Sequence, residues 1–148
     1  MKPDKDTKRN ERWPIKVNKY IIEAQKKMQE TPDNFEYGTF DCCTFAAGMV
    51  QEATGWDPME EFRGKYSTVE EYEALMEELH GTKILYKILI KKFGKPVHGS
   101  YARHGDIVWF DGNLGIMLGK YGLFLMDGGD FGYVRISHIE KAFKVGHD

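Results

Sequence analysis

The chain has little cysteine, no long apolar run and no excess of positive charge. Among its 148 residues there are two cysteines, Cys42 and Cys43, and they are neighbours. Adjacent cysteines rarely bridge, so a disulfide framework is excluded and two reduced thiols are expected. No apolar run approaches the roughly 20 residues of a membrane-spanning helix. The opening Met1-Lys-Pro-Asp-Lys lacks the apolar core of a signal peptide. Lys and Arg number 21 against 23 Asp and Glu, for a net charge of −2. General nucleic-acid binding leaves a strongly basic footprint, so that class is excluded as well. The histidines His80, His98, His104, His138 and His147 lie apart, with no ligand spacing to the cysteines. No metal site is expected from them. The glycines of Asp127-Gly-Gly-Asp and Gly112 lack the strand–loop–helix setting of a phosphate cradle, and no cofactor is expected.

What is present is enough for one core. With 41% hydrophobic and 14% aromatic residues, the chain reads as a globular α+β domain. Residues 1–12 are nearly all charged or polar and are expected to form a mobile arm. Residues 13–148 are expected to form a single domain. Its helical half starts at Trp13-Pro14, with Val17, Tyr20, Ile21, Ala24 and Met28 at helical spacing up to the breakers Thr31-Pro32. Ser67-Thr-Val-Glu70 reads as a capping box for a third helix carrying Tyr72, Leu75, Met76 and Leu79 up to Gly81. His80 is expected to serve the C-terminal end of that helix. Ile84, Leu85, Ile88, Leu89 and Phe93 continue at helical spacing.

The pattern changes after Pro96. Ile107-Val-Trp-Phe110, Leu114-Gly-Ile-Met-Leu118, Leu123-Phe-Leu-Met126 and Tyr133-Val-Arg-Ile136 are short β-type runs. Asp111-Gly-Asn, Gly119-Lys-Tyr-Gly and Asp127-Gly-Gly-Asp separate them with turn chemistry. An antiparallel meander is predicted, with Ala142-Phe-Lys-Val145 as a last strand or an edge.

Between the first helix and the others lies the stretch Phe35 to Met49, which holds both thiols. Asp41 is a good N-cap for a helix over 42–54 that stops at Gly55. Phe45, Ala46, Met49, Val50 and Ala53 form its apolar stripe, and Ala46, Ala47 and Gly48 permit close approach of another element. Cys42 then occupies the first helical position, where free amides and the helix dipole favour a thiolate. The helical wheel sets Cys42 near the middle of the stripe and Cys43 at its edge. Two readings follow for Cys42. It is a small core residue, or it is a nucleophile facing a cleft between helix and sheet. A nucleophile needs a base, which must come from the C-terminal half.

Asp41-Cys42 at the start of a small-residue helix, followed by Gly105-Asp-Ile-Val-Trp-Phe110 and Leu114-Gly-Ile-Met-Leu-Gly119, resembles the NlpC-type cell-wall peptidases. These are compact papain-like proteins. A closer resemblance, to an uncharacterised phage and prophage tail-associated branch of that superfold, rests on several further residues. They are Phe35, Gly38, Thr54-Gly-Trp-Asp57, Arg63-Gly-Lys-Tyr66 and Ala142-Phe-Lys-Val145. The resemblance implies a helical N-terminal half packed on a small antiparallel sheet. It also implies Cys42 as the nucleophile, with a histidine on the strand near residue 113. This chain has Asn113 there, and asparagine cannot take a proton from a thiol. Asp127 is the nearest polar residue to the usual third position. His104, His98 and His138 are candidates for a relocated base.

The resemblance therefore implies two functions. One is a structural or docking piece of a phage tail tip or baseplate, with other tail proteins as partners. The other is a cysteine peptidase or amidase that opens peptidoglycan peptides during DNA entry, with Cys42 as nucleophile. Either implies synthesis in the host cytoplasm and delivery in the virion tail.

Overall fold

The computed structural model describes residues 2–30, 35–126 and 129–147. Four helices precede a sheet, as the change of pattern at Pro96 predicts. They are α1 (Trp13–Glu30), α2 (Cys42–Thr54), α3 (Val69–His80) and α4 (Leu85–Phe93). The strands are β1 (Val97–His98), β2 (Ile107–Phe110), β3 (Asn113–Leu118), β4 (Tyr121–Leu125), β5 (Phe131–Arg135) and β6 (Lys141–Phe143). The protein is α+β, with one six-stranded antiparallel sheet in the order β1-β6-β2-β3-β4-β5.

The meander β2 to β5 follows from its turns. Asp111 and Gly112 have φ of 48° and 77°, and Phe110 pairs with Asn113. Two positive φ angles in a two-residue loop match the twist of the flanking strands, which is why Asp-Gly serves there. The last strand departs from the simple meander. β6 is not an edge: it returns to lie between β1 and β2, pairing Ala142 with both Val97 and Val108.

The inner strands β2, β3, β4 and β6 bury residues on both faces, which explains apolar runs without polar alternation. Ile107, Leu114, Ile116, Leu123, Leu125 and Phe143 join the large core with the helices. Their neighbours Val108, Met117, Phe124 and Ala142 point the other way, into a smaller cluster with Ala102 and Ile139.

Helix α2 is the centre of the large core, and nine of its 13 residues are buried. Gly48 lets α1 come close: a Cβ there would lie 2.1 Å from the Tyr20 hydroxyl oxygen. That hydroxyl donates to the Phe45 carbonyl at 2.8 Å, and its ring stacks on Phe45. The cap of α3 is one residue later than its sequence suggests. Thr68, not Ser67, accepts from the Glu71 amide, and Thr68 also donates to the Glu71 carboxylate. His80 does not cap α3 with its ring. It stacks on Phe62 and bonds Glu61 through Nε2, while Lys91 meets Nδ1.

Within the segment expected to be a mobile arm, residues 1–12, Arg9 is packed into the domain and is 9% exposed. Its Nε donates to the Val145 carbonyl at 2.8 Å and its guanidinium to the His104 carbonyl at 2.9 Å. It also donates to Asp106 Oδ1 at 3.0 Å, and it lies over the Trp13 ring. The backbone is tied down as well, from the Arg9 amide to His147 and from the Asn10 amide to Ala53. A charge is removed from water here because an opposite charge and several carbonyls meet it.

Candidate functional site

The start of α2 is held by one carboxylate. Asp41 has extended backbone (φ −122°, ψ −178°) and is 3% exposed. Its Oδ1 accepts the Thr44 amide at 2.8 Å. Its Oδ2 accepts the Gly38 amide at 2.8 Å and the Tyr66 hydroxyl at 2.5 Å. Thr44 returns the favour: its hydroxyl oxygen accepts the Asp41 amide at 2.8 Å. This completes a capping box in which threonine stands where Glu or Gln is usual. Gly38 is required by the same network. Its φ is +91°, and a Cβ would lie 2.1 Å from the Tyr66 carbonyl oxygen.

A second layer holds this one. Arg63 grips Asp57 through two bonds of 2.9 and 3.1 Å and reaches the Thr44 carbonyl at 3.4 Å. The Gly64 amide donates to the Gly38 carbonyl. Tyr66 stacks on Tyr72, with ring centroids 4.4 Å apart. Burial, and then the Asp41 charge, raise the Tyr66 phenol above its ordinary range, so it stays a donor. Gly38, Asp41, Asp57, Arg63 and Tyr66 are scattered in sequence. They converge as the scaffold of the α2 N-terminus.

The two thiols exchange the places expected of them. Cys43 is in the core, 4% exposed, and Cys42 is the half-buried one. Their sulfurs are 3.9 Å apart. The Tyr72 hydroxyl lies 3.6 Å from the Cys43 sulfur. The hydrogen bond with Cys42 and then burial push the Cys43 thiol up, well above the ordinary thiol range. Cys43 therefore stays neutral and inert. The native protein is expected to take up one equivalent of iodoacetamide, at Cys42, across neutral and mildly alkaline pH. The second is expected only in denaturant, counted by intact mass. Two equivalents in the native state would contradict this placement.

Asn113 is the first residue of β3, and its side-chain amide donates to the Asp111 carbonyl at 3.2 Å. The next residue, Leu114, lines an apolar cavity of about 20 Å³ together with Cys43, Ala46 and Ala47. A space of that size holds about one water and no substrate.

The candidate bases are spread over the molecule. His98 Nδ1 meets the Ser100 hydroxyl at 2.8 Å and accepts the Ser100 amide. His104 packs against the Trp13 ring at 5.5 Å, and burial and then the Arg9 charge hold its imidazole below the usual histidine range. His138 is exposed on a short 3-10 turn over Ile136–His138. Asp127 lies outside the described residues. Among the described residues no three His, Cys, Asp or Glu side chains form a group that could hold a metal ion. No described helix is long and apolar enough to cross a membrane.

The sequence marks α2 and its Asp41 cap, whereas the supporting roles of Thr44, Tyr66 and Tyr72 emerge in the folded structure. Thr44 carried a usable signal, since it lies three residues after the N-cap, where a capping-box partner stands. Tyr66 and Tyr72 reach the site only through tertiary packing and left no local trace.

One family model matches the chain, over residues 8–145, and it is described as Domain of unknown function (DUF6950). The match starts beside Arg9 and ends at Val145, whose carbonyl Arg9 holds. No curated protein matches the chain.

Proposed function

The chain belongs to the DUF6950 family, and from that premise we propose that it is a papain-like domain that docks within a phage tail tip or baseplate. In this reading its active site is degenerate. One observation carries it: Asn113 opens β3 with its amide turned to its own hairpin, so an amide and not an imidazole stands at that position. The resemblance calls for a histidine on that strand. The imidazoles of His80, His98 and His104 bond to or stack on Glu61, Ser100 and Trp13 respectively. The Asp41 carboxylate is likewise occupied by three donors that hold the helix start. What remains is a rigid framework whose polar groups serve the fold.

The experiment is to purify virions of the phage or induced prophage that encodes the chain. The protein is expected in their mass spectrum, with gold-labelled antibody at the distal end of the tail. A chain absent from washed virions, or spread along the capsid, would overturn the proposed location.

A second reading has its own observation. Cys42 is the thiol that reaches the surface, at the positive end of a 13-residue helix. As a peptidase, its sulfur would attack a peptide carbonyl of the wall. The amides of the first turn would receive the oxyanion, and a base would take the thiol proton and pass it to the amine that leaves as the C–N bond breaks; water would then free the acyl group from the sulfur. The docking reading predicts that this chemistry does not occur.

A further inference from the structure

A second cleft, of about 340 Å³, is built where the N-terminal segment meets the turn before β2 and the chain after β6. Its lining includes Arg9, Arg103, His104, Lys144 and His147, and among the described residues the carboxylate in it is Asp106. Asp106 is 1% exposed and its acceptors are in use. It accepts from the Arg9 guanidinium, the Lys144 ammonium and the amides of Arg103 and Val145. Three full cations thus face one carboxylate that is already engaged.

The surplus sits at the mouth. The Arg103 side chain is exposed and supplies none of the bonds that hold Asp106. Lys144 uses two of its three ammonium donors, on Tyr101 and Asp106, which leaves one. Trp13 and His104 form a ring-lined wall beside them. Burial, and then the Arg9 charge, hold the His104 imidazole below the usual histidine range. Paired cationic donors in a concave site are what an oxyanion needs.

We infer that this cleft binds an oxyanion, the carboxylate or phosphoryl group of a ligand, with Arg103 and Lys144 as its contacts. The site is independent of the thiols and of the docking reading. The seat of the anion exists only when the N-terminal segment is in place, because Arg9 supplies its floor.

The test is an amide-resolved NMR titration of the full chain at fixed ionic strength. Inorganic phosphate and a capped triglutamate peptide are the two probes. Saturable shifts are expected at residues 103–106 and 144–147. Arg103→Glu is expected to weaken binding about tenfold or more. Arg135→Glu makes the same charge change on β5 and is expected to change it less than about twofold. Tighter binding of phosphate assigns a phosphoryl ligand, and tighter binding of the peptide assigns a carboxylate. Shifts that stay linear with both probes would overturn the site. So would equal losses in the two variants, because they would reduce it to general charge attraction.

Discussion

Asp106→Ala is expected to lower folding stability by about 4 kcal/mol, the range found when one partner of a buried ion pair is removed. The reason is what the alanine leaves behind. The Arg9 side chain is 8% exposed and would keep its charge without its carboxylate. The amides of Arg103 and Val145 would also lose their acceptor. Lys144 adds little to this sum, because its side chain is 42% exposed and water screens it. Deleting residues 2–10 attacks the same site from the other end. It removes Arg9 and the backbone ties to His147 and Ala53. Lys144 stays beside Asp106, so a smaller loss of about 3 kcal/mol is expected. Urea denaturation followed by tryptophan fluorescence measures both. A freely solvated arm would predict no change on deletion, which makes this variant the sharper of the two for the N-terminal segment.

Asp41→Ala is expected to be at least comparably damaging, at about 3–7 kcal/mol. A lost N-cap alone costs about 1 kcal/mol. Here the same carboxylate also receives the Gly38 amide and the Tyr66 hydroxyl, both in buried surroundings. Each stranded donor adds about 1–3 kcal/mol. Against a typical domain stability of about 5–15 kcal/mol, the variant is marginal. Tyr66→Phe separates the contributions. It removes one donor together with its need for an acceptor and is expected to cost only about 1 kcal/mol. In the Asp41→Ala background, Tyr66→Phe is expected to restore part of the loss. Equal and additive losses from the two changes would mean that the Tyr66–Asp41 bond carries no coupling energy.

The residues also show why the sequence was informative in some places and silent in others. Helix α2 was legible at both ends because its signals are local: Asp41 caps it and Gly55 closes it in the left-handed conformation. The β2–β3 hairpin was legible because Asp111-Gly112 admits few other geometries. The orientation of the thiols was not legible. Neighbouring helical residues differ by about 100° of rotation, and most of α2 is buried, so its stripe has no sharp centre. Tyr66, Tyr72 and Met59 decide which cysteine turns inward, and all come from elsewhere in the chain.

Arg9 was hidden for a related reason. In a run of charged residues nothing marks the one that is buried, and its carboxylate partner is 97 positions away. The return of β6 to the middle of the sheet was equally silent. A strand of three residues has too little pattern to choose its neighbours. The candidate site was half legible on the same terms. The cysteine and its cap could be read, whereas the second layer of Asp57, Arg63 and Tyr66 acquires its meaning only when the loops close on Gly38.

A docking role requires that the protein not use Cys42 for hydrolysis, and digestion of purified peptidoglycan puts this to the test. The wild-type chain, Cys42→Ala and a no-protein control are incubated with purified bacterial wall sacculi. New amino and carboxyl termini are then counted by mass spectrometry of the released peptides. The same background is expected for all three. Cleaved cross-links produced by the wild type and lost in a folded Cys42→Ala would contradict it, and would make Cys42 the nucleophile of a working peptidase.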